Sequence, residues 1–266
     1  MDSNYQMVSS VCIGSKMERN KYMTQEKIHQ IIKEQFAIDY NCSVADFDTK
    51  ETLVTKQSQN PKARKREESS AFSMLSYNGK LVISCIPELF EWSKEVVAKR
   101  CSPEWCFEAG SLISIDRKLQ EYGYEIDQVH IFYTPKFITP STKGDVQIIR
   151  GEQIQALEED ERIDEAFLFE DYIEDVLGAV IYDEEHNLLA VAGATANSGL
   201  MWEMGVNSFD EGKGYAVSTI SKLTEEILKL GKVPYCGTSL SHLASQNTSL
   251  RAGLVPTFCE LTSRKI

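Results

Sequence analysis

The chain has 266 residues, of which 42% are apolar and 26% are charged, so it can bury a core and is not disordered throughout. No apolar stretch reaches the roughly 18 residues that a membrane-spanning helix needs, and the net charge of −12 disfavours non-specific binding to nucleic acid or an anionic membrane. Seven cysteines without a CxxC pair and four scattered histidines indicate reduced thiols and no metal site, and we expect a cytoplasmic protein.

The amino-terminal half predicts a mixture of helices and strands. Apolar residues recur at helical spacing over 28–36, behind the candidate cap Thr24. The polar stretch 56–70, which includes Arg64, predicts an exposed loop, with a functional basic patch as the alternative. The other elements predicted here are a hairpin over 74–85 that turns at Asn78-Gly79, a helix from Pro87, a helix over 112–119 and a strand over 129–133.

A change in composition suggests a boundary between two domains. Residues 134–144 contain two prolines, a glycine and several hydroxyl side chains, which is typical of a linker. We therefore predict an α+β domain at 1–140 and an α/β domain with a central mixed sheet at 141–266. The strands predicted in the second domain cover 146–149, 176–182, 188–195, 200–206, 233–239 and 258–261, and the helices cover 154–157, 163–169, 214–230 and 245–252.

The excess of negative charge is concentrated in one segment. Residues 151–185 hold fourteen Asp or Glu and one Arg, which gives −13 and leaves +1 for the remaining 231 residues. Solvated helix faces and loops are one explanation of this acidic segment. The other is a negatively charged collar that attracts a cationic substrate.

A short glycine-containing loop is the most informative motif. Residues 211–215, Glu-Gly-Lys-Gly-Tyr, stand between a strand that ends at Val206 and the predicted helix 214–230. Two glycines at the start of a helix leave backbone N–H groups accessible where the helix dipole is positive, which suits a pyrophosphate. A plain tight turn is the alternative, and the loop is neither a Walker loop nor a Rossmann fingerprint.

The order of elements together with this loop resembles the GNAT N-acetyltransferase superfamily, especially its bacterial two-domain members with an extra amino-terminal domain. Gly212, Gly214, Tyr215 and Ala216 match the loop of that superfamily, and 239–254 is similar to its second cofactor-side motif. The resemblance covers 176–266. It implies a GNAT-type acyltransferase domain that binds acetyl-CoA as co-substrate. The cofactor-binding residues it implies are Val206, Asn207, Ser208, Glu211, Gly212, Lys213, Gly214, Tyr215 and Ser245.

The sequence departs from the superfamily pattern at four positions. Phe209 stands where Gln or Arg is usual, and Glu211 stands where Arg is common. Both changes remove a potential positive contact from an anion site, and Glu211 adds repulsion. Lys213 is the nearby compensation, so we expect weaker rather than absent cofactor binding. His242 replaces a common Asn, and Ser249 replaces the usual tyrosine. These departures favour an alternative function, a catalytically weak or inactive acyl-CoA-binding regulatory module.

The resemblance implies direct transfer of an acetyl group to a primary amine in a ternary complex. Glu203, between Trp202 and Met204, is the candidate general base, although a solvent-facing strand charge is the alternative. The backbone near Val206 would stabilise the developing oxyanion. Ser249 or His242 would act as the acid.

Three further expectations concern partners and thiol chemistry. Cys236 is a buried thiol rather than an acyl-enzyme nucleophile, because no paired base is visible. The acidic segment favours a small cationic amine as acceptor, and a protein terminus stays open. Neither nucleic acid nor membrane is expected as a partner, and the chain could form a homodimer.

Overall fold

The computed structural model describes residues 18–19, 22–65, 70–140 and 143–266, which form twelve strands and seven α-helices. The strands are β1 (Glu18–Arg19), β2 (Leu53–Lys56), β3 (Phe72–Tyr77), β4 (Lys80–Cys85), β5 (Tyr124–Pro135), β6 (Phe137–Ile138), β7 (Gln147–Ile149), β8 (Asp175–Tyr182), β9 (Leu188–Thr195), β10 (Met201–Ser208), β11 (Val233–Ser239) and β12 (Leu254–Lys265). The helices are α1 (Gln25–Asp39), α2 (Pro87–Trp92), α3 (Ala98–Arg100), α4 (Ala109–Gln120), α5 (Glu152–Gln155), α6 (Tyr215–Lys229) and α7 (Leu243–Arg251). Within the described ranges, no helix has both the length and the apolar composition needed to cross a bilayer.

Ten strands form one mixed sheet in the order β2-β4-β3-β12-β5-β11-β10-β9-β8-β7, which confirms the predicted α/β fold class. Only the pairs β2–β4 and β10–β11 are parallel among the strand pairs described. β12 lies between β3 and β5, so strands from both sides of residue 140 share the sheet. The domain division near residue 140 stays a prediction.

Several elements form where local sequence signals place them. The Thr24 side chain accepts a hydrogen bond of 3.2 Å from the Lys27 N–H and caps α1, as predicted. Asn78 and Gly79 both have positive φ, which is the geometry of a type I′ turn and confirms the predicted hairpin. α6 buries an apolar stripe and ends before Gly231, whose φ of 74° suits only glycine well.

The prediction of an exposed loop over 56–70 is wrong for Arg64. Its guanidinium is only 4% exposed and pairs with Asp39 at 2.5 Å and with Glu260 at 2.7 Å. The physical reason is that two carboxylates from distant parts of the chain neutralise the buried charge. The composition of residues 56–70 alone gives no sign of these partners. Residues 66–69 lie outside the described ranges.

The prediction of a helix over 163–169 is also wrong, because this part of the acidic segment is irregular. Side chains on the neighbouring strands accept hydrogen bonds from the backbone N–H groups that would donate to carbonyl groups within a helix. The Asn207 Oδ1 accepts from the N–H groups of Glu165 and Ala166, at 3.1 and 2.9 Å. The Asp175 carboxylate accepts from those of Leu168 and Phe169.

Three glycines in register let this irregular segment lie directly on the sheet. Gly178, Gly193 and Gly205 are cross-strand neighbours on β8, β9 and β10. A Cβ at Gly193 would lie 1.9 Å from the carbonyl oxygen of Ala166, and one at Gly205 would lie 1.6 Å from that of Glu165. Backbone therefore packs on backbone here, and a side chain at these positions would displace the segment.

We expect Gly193→Ala to destabilise the protein by about 1–3 kcal/mol, because the new methyl group meets a backbone oxygen that cannot move freely. Urea unfolding measures the change. Gly199→Ala is the matched control, since a Cβ there meets no atom within 4 Å. Equal unfolding free energies for the two variants would contradict this account of the glycine row.

Candidate functional site

A cleft opens where β10 and β11 diverge. The two strands pair in parallel only at three positions, the last of which joins Glu203 to Tyr235. Beyond this point β10 remains paired to β9 as far as Ser208, and β11 remains paired to β5 as far as Ser239. Every second residue of β10 beyond Glu203 therefore directs its backbone N–H and C=O into the gap rather than into a strand partner.

The gap leads to the amino-terminal end of α6, whose first backbone N–H groups have no carbonyl of a preceding helical turn to donate to. Gly214 occupies the cap position with φ 89° and provides no side-chain cap, and Gly212 has φ 76°. Within the described part of the chain, no group accepts a hydrogen bond from the N–H groups of 212–217. With the helix dipole, these N–H groups can bind an anion.

Two basic side chains flank this helix start and were missed by the sequence analysis. A Cβ at Gly214 would lie 3.5 Å from the Lys143 Cγ and 3.9 Å from the Arg251 Nη2. Lys143 is separated from the loop by about seventy residues, and Arg251 lies at the end of α7, so no local motif indicates either. They place two positive charges beside the start of α6.

A cavity of about 1030 Å³ joins the cleft to the helix start. It brings together most of the predicted site residues. Those lining it are Glu203, Val206, Asn207, Ser208, Glu211, Gly212, Gly214, His242, Ser245 and Ser249. Lys213 and Tyr215 lie in the same loop and at the first position of α6, but they do not line the cavity.

The two faces of the sheet give the cleft two chemically different sides. Met204 belongs to the core formed with α6, where the Thr224 hydroxyl lies 3.8 Å from its Sδ. We call this side the helix face. The neighbouring residues Glu203 and Gly205 point to the opposite side, where the segment 164–173 lies, and we call it the acidic face. The Asn207 side chain is also on the acidic face, where its Nδ2 donates to Asp164 at 2.6 Å, so only its backbone is directed to the cleft.

Glu203 is held in place by two donors on the acidic face. Its Oε2 accepts from the Tyr235 hydroxyl at 3.1 Å and from the Asn197 Nδ2 at 3.0 Å. Burial and then the negative charge of Glu203 raise the pKa of Tyr235 well above its usual value, so the phenol remains a donor. Neither donor was identified from the sequence, because Asn197 lies in a short turn that resembles any polar hairpin turn.

The candidate acids lie on the helix face. Ser249 is buried and lies near Cys236, whereas His242 is exposed at the cap position of α7. Burial raises the pKa of Cys236 to about 12, and the negative charge of Glu203 adds to this rise. Ser249 lowers the pKa by a smaller amount. Cys236 is therefore a neutral thiol at physiological pH, which confirms the prediction of a buried thiol. Within the described ranges, no group of three His, Cys, Asp or Glu side chains could hold a metal ion.

Fold and site thus define a mixed α/β protein with a cleft between two diverging parallel strands that leads to the amino-terminal end of α6. No protein-family model matches the chain, and no curated protein matches it. The chain is similar in structure to a GNAT-family acetyltransferase from Colwellia psychrerythraea, with 13% identity and a TM-score of 0.44 over 94% of this chain and 100% of that one. A GCN5-related N-acetyltransferase from Sphaerobacter thermophilus matches with 12% identity and a TM-score of 0.42, over 93% and 94% of the two chains.

Proposed function

We propose that this chain is an acetyl-CoA-dependent N-acyltransferase that moves an acetyl group to a primary amine by direct transfer in a ternary complex. The observation that carries the proposal is the divergence of β10 and β11 after Glu203, which opens a cleft that ends at the unpartnered N–H groups of 212–217. A carboxylate at the closed end and an anion site at the open end suit a substrate with a reactive group and a distant diphosphate.

The chain's own groups fit acetyl-CoA. The N–H groups of 212–217, with Lys143 and Arg251 beside them, would hold the diphosphate, and the open edge of β10 would bind the pantetheine amides. Ser245 faces the same cavity from α7. When bound, acetyl-CoA supplies a thioester whose C–S bond breaks as the new C–N bond forms.

The general base, the donor to the oxyanion and the acid are assigned to groups that line the cleft. Glu203 accepts the proton that the attacking amine loses, with its carboxylate fixed by Tyr235 and Asn197. A β10 backbone N–H beyond Glu203 donates to the developing oxyanion. Ser249, which is buried and lines the cavity, is the proposed acid for the departing thiolate, with exposed His242 as the alternative.

The acceptor is a small cationic amine, because the acidic face carries excess negative charge. Asp127, Asp164 and Glu165 line the cavity there. His130 lines it too, and burial lowers its pKa against the attraction of Asp127, Glu165 and Glu260, so it adds little positive charge at neutral pH.

Calorimetry with acetyl-CoA and the release of free thiol with a panel of amines test this proposal. We expect binding, and faster thiol release with cationic than with anionic primary amines. No detectable binding would contradict the proposal. Tight binding without thiol release for any amine would favour the alternative of an acyl-CoA-binding module, and equal rates across the panel would exclude a preference for cations.

We expect Arg251→Ala to weaken acetyl-CoA binding by about threefold to tenfold, because it removes one exposed cation from the anion site. Calorimetry at low and high salt measures the change, and the difference from wild type shrinks at high salt through screening. Arg150→Ala is the control, since Arg150 is exposed and does not line the cavity. The same weakening in both variants would contradict a local role for Arg251.

A further inference from the structure

One side chain of β10 fixes the beginning of the irregular segment on the acidic face. The Asn207 Oδ1 accepts from the N–H groups of Glu165 and Ala166, and its Nδ2 donates to the Asp164 carboxylate at 2.6 Å. These three bonds set the orientation of the amide, because a flipped amide would direct its oxygen at a carboxylate and its hydrogens at two N–H groups. All the described hydrogen bonds of this side chain therefore go to residues 164–166.

Asn207 provides the directional contacts that join residues 164–166 to the sheet. Within the described ranges, these residues form no other hydrogen bond to a strand. The Asp175 carboxylate accepts only from N–H groups further along the segment. The contacts beneath residues 164–166 are backbone packing on Gly193 and Gly205, which allows close approach but sets no hydrogen-bond direction. Loss of the Asn207 amide would therefore release this part of the segment while the strands beneath it stay paired.

The same three residues form a wall of the cavity, and two of them are exposed acids, Asp164 and Glu165. Within the described ranges, no Lys, Arg or His forms an ion pair with Asp164. Asp127, which also lines the cavity, differs in this respect because one of its carboxylate oxygens lies 3.8 Å from an Arg264 nitrogen. The neutral amide of Asn207 thus orients Asp164 without neutralising its charge, which a basic side chain at position 207 would do.

We propose that Asn207 is a positioning residue that holds residues 164–166 as the acceptor-side wall and keeps Asp164 in place for the distal ammonium group of a diamine; this inference rests on the proposed function. Asn207 and Glu203 are four residues apart on β10, which corresponds to about 13 Å along the strand. Contacts of about 3 Å at each carboxylate leave about 7 Å between the two nitrogens of the acceptor. A linear diamine with roughly four or five carbons has this length.

The test compares 1,4-diaminobutane with 4-aminobutanoate, two primary amines of similar length whose distal groups have opposite charges. We expect wild type to prefer the diamine in kcat/KM, and Asn207→Ala to reduce this preference by about threefold to tenfold, mainly through a higher KM for the diamine. Calorimetry with the diamine alone should show weaker binding by the same factor. Acetyl-CoA should bind this variant as it binds wild type, because the removed side chain lies on the acidic face. An unchanged preference, or a wild type that binds both amines equally or binds neither, would overturn the inference.

Asp164→Asn separates the charge of the wall from its position. This variant removes the carboxylate but keeps the bonds from the wall to the Asn207 Oδ1, so the preference for the diamine should fall while the free energy of unfolding stays near that of wild type. Adding Asn207→Ala to Asp164→Asn should lower the preference little further, because both changes act through one carboxylate. Additive effects on the preference would show that Asn207 does not act through Asp164 and would overturn the inference.

Asn187→Ala is the matched control for the loss of an Asn-to-Asp hydrogen bond. Asn187 is exposed in the turn between β8 and β9, donates to the Asp183 Oδ2 at 2.8 Å and does not line the cavity. Both amines should bind this variant as they bind wild type, and a loss of preference equal to that of Asn207→Ala would contradict a local role. Absence of thiol release from wild type with either amine would count against the proposed function, whereas diamine binding would still report on Asn207.

Discussion

Glu203→Gln is expected to lower kcat by about a hundredfold to ten-thousandfold, which is the usual contribution of a positioned general base. The amide has the same size and can stay beside Tyr235 and Asn197, but it cannot accept the proton of the amine. Binding of acetyl-CoA should not change, because the anion site lies at the other end of the cavity. Steady-state kinetics and calorimetry measure the two effects separately.

Glu184→Gln is the matched control for this experiment. Glu184 is an exposed acid in the turn between β8 and β9 and does not line the cavity, so the same chemical change should leave turnover unaltered. Turnover of Glu203→Gln within about threefold of wild type would show that another group takes the proton. Loss of acetyl-CoA binding in Glu203→Gln would instead indicate a structural role for the carboxylate.

The parts of the fold that the sequence predicts are those determined over short distances along the chain. α6 follows from an apolar stripe within one helix and a glycine at each end. The hairpin of β3 and β4 follows from two turn residues with positive φ. The loop 211–215 is recognisable for the same reason, since the N–H groups of a helix start and the glycines that expose them are neighbours in sequence.

The rest of the site depends on contacts that no local pattern specifies. Asn197 reaches Tyr235 across 38 residues, and Arg64 reaches Glu260 across 196. Without knowledge of these partners, the sequence around Asn197 predicts only a polar turn, and the sequence around Arg64 predicts only a basic loop. The sequence predicts a helix for the irregular segment 164–169 because its apolar residues recur at helical spacing. Its backbone N–H groups instead donate to the side chains of Asn207 and Asp175, which come close to the segment only when the sheet has folded.

A second large effect concerns stability, and we expect Arg64→Met to lower the free energy of unfolding by about 3–5 kcal/mol. The guanidinium contacts Asp39 and both oxygens of Glu260, and it lies 5.2 Å from the Phe36 ring centroid. Methionine fills much of the volume but leaves two carboxylates that are each about 95% buried without their cation. Since domains are stable by only about 5–15 kcal/mol, a Tm lowered by roughly 10 °C is expected.

Two comparisons show whether burial is the cause of this destabilisation. Arg162→Met breaks an ion pair of the same 2.5 Å length, with Asp160, but the arginine side chain is 59% exposed, so its unfolding midpoint should stay near that of wild type. Arg64→Met combined with Glu260→Gln removes one of the orphaned charges and should recover part of the lost stability, which a double-mutant cycle in urea measures. If Arg64→Met unfolds at the same urea concentration as Arg162→Met, the buried ion pair that joins Asp39 of α1 to Glu260 of β12 through Arg64 does not stabilise the fold.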